Sequence, residues 1–282
     1  MNLYKSHLVF TLLYPIQVIL AQPSDVSAWS PNPPDTPAVF LPGIVSTNSD
    51  EYGLAVTRDW SEIYFTRIKG DISYIILAKW EQHSWSMPEI TSFSQPGGAA
   101  HPWLSSDESN IYFVSRRACI GVNQALNVWT SRRSNTGWEE PTTLGKPFTN
   151  ETVHAPSVSA SGTIYASGLK RFRKTNSGYL GSEELTPNIK GSHPAVSPDE
   201  KLIVFSARKA GGYGGNDLYV VFLKVDGRWG QPINLGQHVN TEAVESSPTF
   251  SSDGRALFFS RKGDIWWINA DVVYEIDHSS NR

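Results

Sequence analysis

Five residues with imidazole or carboxylate side chains recur once in each of five similar stretches of the chain: Glu51, His101, His154, His193 and Glu245. Imidazoles and carboxylates that converge on one axis can bind a divalent metal or hydrogen-bond a sugar. Their spacing is not uniform. His101 and His193 directly precede a proline, His154 lies two positions before one, and the glutamates lie three before the equivalent position. A solvated, water-bridged lining is the simpler reading of the same five residues, and whether a metal binds there is not fixed by the sequence. Hydrolysis of a glycoside would need two carboxylates facing one bond, supplied by separate repeats. Asp50, Glu51, Glu242 and Glu245 are the candidates for that pair. Neither a Gly-x-Ser-x-Gly elbow nor a His-Glu-x-x-His helix occurs.

Other chemistry-bearing patterns have weaker standing. "RKAGGYGGNDLYVV" crowds four glycines into positions 211–215. A phosphate cradle would set such glycines between a strand and a helix N-terminus. Here a strand pattern follows them, so they read as a tight hairpin loop with left-handed backbone. Arg67, Arg116, Arg208 and Arg261 recur after one strand in four of the five repeats, and Asp71, Asp217 and Asp264 at the start of the next strand in three. Pairing across a hairpin is the expected use of these charges, with a ring that recruits an anionic partner as the alternative. Asn150 opens an Asn-Glu-Thr glycosylation acceptor, which matters only in a eukaryotic secretory pathway.

The elements that must position these residues are strands. Aromatic residues make up 12% of the 282, with 10 Trp, beside 22 Gly and 18 Pro, a mix of strand formers and turn formers. The net charge of −3 provides no basic field for a nucleic-acid partner. Lys5 followed by the apolar run "LVFTLLYPIQVILA" reads as an export signal over 1–21. Broken by Pro15 and Gln17, the run is too short for a stable membrane span. Residues 22–38 read as a Pro-, Ser- and Asp-rich disordered lead-in, and Cys119, the single cysteine, excludes an internal disulfide.

Behind the lead-in the chain repeats itself. "LAVTRDWSEIYFTR", "PWLSSDESNIYFVSR", "PSVSASGTIYASG", "PAVSPDEKLIVFSAR" and "PTFSSDGRALFFSR" each read as a strand, a turn on Asp or Ser-Gly, and a second strand. A third strand follows in most units, as in "DLYVVFLK" and "DIWWINADVV", and a fourth begins at an aromatic, as in "WGQPINL". Such units are propeller blades, which bury their faces only by stacking on one another. The fold expected is all-β, a five-bladed propeller over 39–275 with a tail at 276–282. A sixth, degenerate blade is the alternative count. The third blade should be the least regular, because "LKRFRKTNSG" leaves little room for its third strand. The last repeat lacks a fourth strand, which the segment "VFLPGIVSTNSDEYGLAV" supplies by analogy with "INLGQHVNTEAVESSPTF", closing the ring.

"HPAVSPDEKLIVFSA" and "SSPTFSSDGRALFFSR" resemble the repeats of TolB-type, WD-repeat-like propellers, over nearly all of 39–275. "GGYGGNDLYVV" and the spaced pattern Trp-x-x-Pro-x-Asn-Leu-Gly-x-x-Val-Asn-Thr, in "WGQPINLGQHVNT", are similar to the exported bacterial branch of that family. The resemblance implies a propeller in an exported bacterial protein, periplasmic or secreted, and, by analogy, protein or small-ligand binding; it implies no reaction, and the partner expected is a protein, glycan or other envelope component, with no cofactor. The functional expectation is therefore a non-enzymatic binding propeller, acting through its channel mouth or a loop face. A glycan-active hydrolase and a structural envelope scaffold are the alternatives.

Overall fold

The computed structural model describes residues 31–95, 97–118, 126–185 and 190–280. The expected export signal and Cys119 lie outside them. The described residues form five antiparallel blades around a central channel. The inner strands are Glu51–Val56, Ala100–Leu104, Ser157–Val158, Ser192–Val196 and Glu245–Phe250, in blades 1 to 5 respectively. The second strands of blades 4 and 5, Leu202–Ala207 and Ala256–Arg261, are buried along their whole length. Burial on both faces is what their β-branched and aromatic residues require, and only neighbouring blades can supply it. Blade 3 is the least regular, with a third strand of three residues, Lys170–Phe172, and a small added hairpin, Lys174–Thr175 with Gly178–Tyr179.

The turns between first and second strands follow one plan. Asp59, Asp107, Asp199 and Asp253 each accept the main-chain N–H of the residue two positions on. Such side-chain caps fix the hairpin geometry. The Ser105 and Ser109 hydroxyls and the Ser109 N–H hold the Asp107 carboxyl down to about 2.

Ring closure joins the two ends of the fold. Ala38–Val39 pairs antiparallel with the third strand of blade 5, Val39 opposite Trp266 and Ala38 opposite Trp267. The next residue, Phe40, is fully buried against Phe258 and Trp267, with ring centroids 4.9 and 5.1 Å away. Upstream, the Pro34 carbonyl accepts the Asn269 N–H at 2.8 Å and the Asp35 carbonyl meets the His238 ring at 2.7 Å. At the other end the third strand stops at Asn269 rather than running on to Val273. The Asn269 side chain accepts the Asp271 N–H, and Asp271–Ser280 forms a helix that buries Val273 in the core of blades 4 and 5. A capping Asn before an apolar turn explains the change of element. No described helix is long and apolar enough to cross a membrane.

The glycine loop of blade 4 lies on the crossover leading into blade 5. A Cβ at Gly214 would come within 2.5 Å of the Thr241 and Glu242 main chain, and one at Gly212 within 2.4 Å of the Asp217 carboxylate. Of the four glycines only Gly211 is left-handed. The others serve close approach instead, and Asp217 fills the loop where a phosphate would have to sit, accepting from the Tyr213 N–H and the Asn234 amide.

Because Phe40 closes the ring through packing, Phe40→Ala should destabilise the protein by about 3–5 kcal/mol, read as a lower midpoint in urea unfolding. An unchanged midpoint would mean that the ring holds without this strand.

Candidate functional site at the channel

Each inner strand of the propeller makes the same irregular step. The strand pairing slips between Tyr52 and Leu54, Ala100 and Trp103, Ser192 and Ala195, and Ser246 and Thr249. At the step, and at its counterpart in blade 3, the backbone turns left-handed: Gly53 (φ 55°), His101 (54°), Ala155 (47°), His193 (52°) and Ser247 (49°). Such bulges redirect a side chain, here toward the axis. The five residues, with the prolines that follow four of them, line a constriction of only about 10 Å³, at the lower limit for a single water. His101 and His193 are fixed alike: their main-chain N–H groups donate to the Thr66 and Ser167 hydroxyls of the preceding blade, at 2.9 and 3.1 Å.

The two imidazoles meet across the axis with ring centroids 5.0 Å apart, and Tyr52 extends the row, 4.9 Å from His101. Gly53 makes room for it, since a Cβ there would sit 3.0 Å from His101 Nδ1. The Tyr52 hydroxyl is held at 2.9 Å by Ser73. His154 stands exposed one residue before the step in blade 3. Burial pushes His193 from the ordinary 6.5 down to about 4, with His154 adding to the shift, and it lowers His101 well below its usual value, helped by both other histidines. Two neutral imidazoles therefore sit beneath an exposed one. The His193 Nδ1 is buried without a hydrogen-bond partner. Above His101 opens a depression of about 490 Å³ bordered by Tyr52, Asp71, Arg116 and His154. On the far side Trp103 plugs the channel, packed against the cores of blades 2 to 5 with its indole N–H donating to the Val158 carbonyl at 2.8 Å. The depression is thus a blind cup lined with hydrogen-bonding rings.

The two glutamates expected beside the histidines have another use. Glu51 and Glu245 are buried, and each carboxylate takes an arginine at 2.7 or 2.8 Å, Arg67 or Arg261 respectively. Each also accepts the hydroxyl and N–H of the threonine four residues earlier, Thr47 or Thr241. The arginines reach on to carbonyls of the same crossover, at Ile44 and Val45 in one case and at Val239 in the other, while lying over Phe65 and Phe259. Blade 2 achieves the same with Arg117, over Phe113 and bonded to the Phe93 carbonyl. These are clamps that hold a crossover to its blade. Of the arginines expected to be equivalent, Arg67 and Arg261 are; Arg116 and Arg208 fall one position later, and the acidic partners are glutamates on the inner strand rather than Asp71 or Asp264. With Glu51 and Glu245 committed, two of the four candidate carboxylates for hydrolysis are ion-paired and closed to solvent, while Asp50 and Glu242 are exposed on crossovers. No group of three or more His, Cys, Asp or Glu among the described residues is placed to hold a metal ion. His101, His154 and His193 do come together; the aromatic Tyr52, the step residues Gly53, Ala155 and Ser247, and the Trp103 plug were not singled out from the sequence, although the residue before each inner-strand proline marked the step.

Removing one partner of a buried ion pair strands the other, so Glu245→Ala should cost about 3–5 kcal/mol in urea unfolding. A cost below about 1 kcal/mol would contradict the clamp. Acid sensitivity follows from the imidazoles. Between about pH 4 and 6.5 His193 binds fewer protons folded than unfolded, and His101 shifts in the same direction. Their contribution is intact above that window and lost as pH falls through it. The turn aspartate Asp107, held to about 2, acts only below it. The melting temperature should therefore drop between pH 6.5 and 4, and drop less in a His101→Asn/His193→Asn variant, since Asn tolerates left-handed backbone. Parallel profiles would contradict the assignment.

No family model matches the chain, and no curated protein matches its sequence. Solved structures do. TolB from Acinetobacter baumannii is 14% identical with a TM-score of 0.51, covering 80% of this chain and 55% of its own length. The catalytic domain of a GH62 α-L-arabinofuranosidase from Coprinopsis cinerea is 11% identical with a TM-score of 0.55, covering 84% of this chain and 98% of its own. An α-L-arabinofuranosidase from Podospora anserina, solved with cellotriose, gives 11% and 0.52, covering 85% and 98%. The chain thus spans about half the length of the TolB structure. What the chain shares with TolB and with the arabinofuranosidases, at these identities, is the β-propeller fold.

Proposed function

We propose that the protein is an exported, non-enzymatic binding propeller of the bacterial envelope, whose crossover mouth receives a segment of a protein or glycan. One observation carries this reading: Tyr52, His101 and His193 form a row of rings, Tyr52 and His101 bordering the blind cup with His154 exposed at its rim, and His193 at the constriction beside it. Neutral imidazoles donate and accept hydrogen bonds without fixing a charge, and a phenol offers an apolar face beside them, which suits sugar hydroxyls and peptide groups alike. The apolar run at 8–21 supports export, and the likeness to TolB fits a binding propeller at the level of the fold. Hydrolysis has less support, because the glutamates nearest the axis are engaged by arginines.

The test is a screen of the protein lacking residues 1–21 against a glycan array and an envelope extract, followed by titration of the ligand found. His154→Ala should weaken binding about tenfold, the scale of one or two lost polar contacts, without lowering the melting temperature. Unchanged affinity in a His101→Ala/His154→Ala/His193→Ala variant would remove the crossover mouth as the site.

A further inference from the structure

The opposite end of the channel holds a second concavity. Where the inner strands run into the Ser-x-Asp turns, all five blades leave a cavity of about 140 Å³ on the far face of the Trp103 plug. Its walls are apolar: Leu54, Val56, Val158, Val196 and Phe250. Its rim is ringed by hydroxyls, but these are mostly spent. Ser105, Ser197 and Ser251 donate to the turn aspartates Asp107, Asp199 and Asp253, and Ser252 donates to the Val56 carbonyl at 2.6 Å.

Two polar groups at this rim remain for a guest. Ser106 is exposed, and Arg58 is exposed with its guanidinium in no ion pair among the described residues. The neighbouring Glu108 takes the Arg58 main-chain N–H, which fixes the backbone of the turn and sets a carboxylate within the field of the Arg58 charge. Arg67 and Arg261 spend their charge on buried glutamates, whereas Arg58 lines an apolar well. The equivalent turn positions in the other blades are Ser106, Ala160, Pro198 and Ser252, so the positive charge is on one side of the rim only.

From this geometry we infer that the turn mouth binds a compact apolar carboxylate, its hydrocarbon body seated on Trp103 and Phe250 and its carboxylate on Arg58, with Ser106 within reach. The volume limits the body to about the size of benzene, which occupies an apolar cavity of about 150 Å³. A single charge on one side of the rim matches one carboxylate and disfavours a polyanion. A sugar fits poorly, because the walls offer no free hydrogen-bonding group to its hydroxyls. The carboxylate can belong to a free acid or to the C-terminal Leu or Phe of a peptide; the chemistry recognised is the same. This site is separate from the crossover mouth, with the Trp103 indole between them.

Calorimetric titration with phenylacetate and 4-methylvalerate, with their amides, and with peptides ending in Leu as free acid or C-terminal amide tests the inference. The acids should bind, the amides about tenfold more weakly, and Arg58→Gln should abolish that difference. Ala160→Trp, at the exposed rim, should block every ligand, and His154→Ala should change nothing, which separates this site from the crossover mouth. Binding of free acids identifies a small-molecule site, and binding of the peptide acid alone identifies chain ends; either supports the inference. No binding at millimolar concentration, equal binding of acids and amides, or loss of binding in His154→Ala with Arg58→Gln unaffected would overturn it. Melting temperatures of all three variants within a few degrees of the parent confirm that the comparison is between folded proteins.

Discussion

The left-handed step in the inner strands is the constraint on which the rest depends. Four of its five occupants carry a Cβ and so sit where non-glycine backbone costs about 1–3 kcal/mol each. A local preference cannot hold them there. The prolines after four of them exclude a return to regular pairing, and the hydroxyls of Thr66 and Ser167 take the N–H groups freed at two of them. The return on this strain is positional. A regular strand would alternate its side chains between the two blade interfaces, whereas the step aims one residue per blade at the axis, so the identity of five residues decides what the channel contains. Here they are Gly, His, Ala, His and Ser, which sets two imidazoles face to face at the constriction.

Around that step the protein uses charge sparingly and inwardly. Arg67, Arg117 and Arg261 each lie over a phenylalanine and reach a crossover carbonyl, so the crossover, whose main chain would otherwise be under-bonded, is tied to the blade it enters. Glu51 and Glu245 belong to these clamps, and their burial is tolerated because guanidinium, hydroxyl and N–H all converge on them. The ring is then closed by Ala38–Val39 and Phe40, and plugged on its axis by Trp103. The result is a channel that is no longer a conduit: two concavities back to back, one lined with polar rings and one apolar with a single cation.

Much of the architecture was legible in the sequence, for a physical reason. A blade cannot bury itself, so every blade must carry the same alternation and the same Asp-capped turn, and repetition makes the pattern readable even where blade 3 degrades it. Closure was legible because the VST and VNT crossovers must perform the same job. The site was less legible. Position along the repeat suggested that Glu51 and Glu245 faced the mouth with the histidines, but a glutamate two residues before the step points into the clamp, while a residue at the step points at the axis. The difference is one of backbone handedness, which a sequence signals only through the proline that follows. The helix at Asp271 was missed because "INADVV" has strand-forming residues, and the Asn269 cap, not the propensity, decides the element.

The step holds His101 and His193 neutral and face to face beneath the crossover mouth. Ring carbon and nitrogen chemical shifts of specifically labelled histidine, followed by NMR from pH 8 to 4, measure this directly. The His193 resonances should reach their midpoint near pH 4, and those of His101 should hold neutral-imidazole positions well below the ordinary 6.5. Titration of either ring at or above the ordinary 6.5 would contradict it.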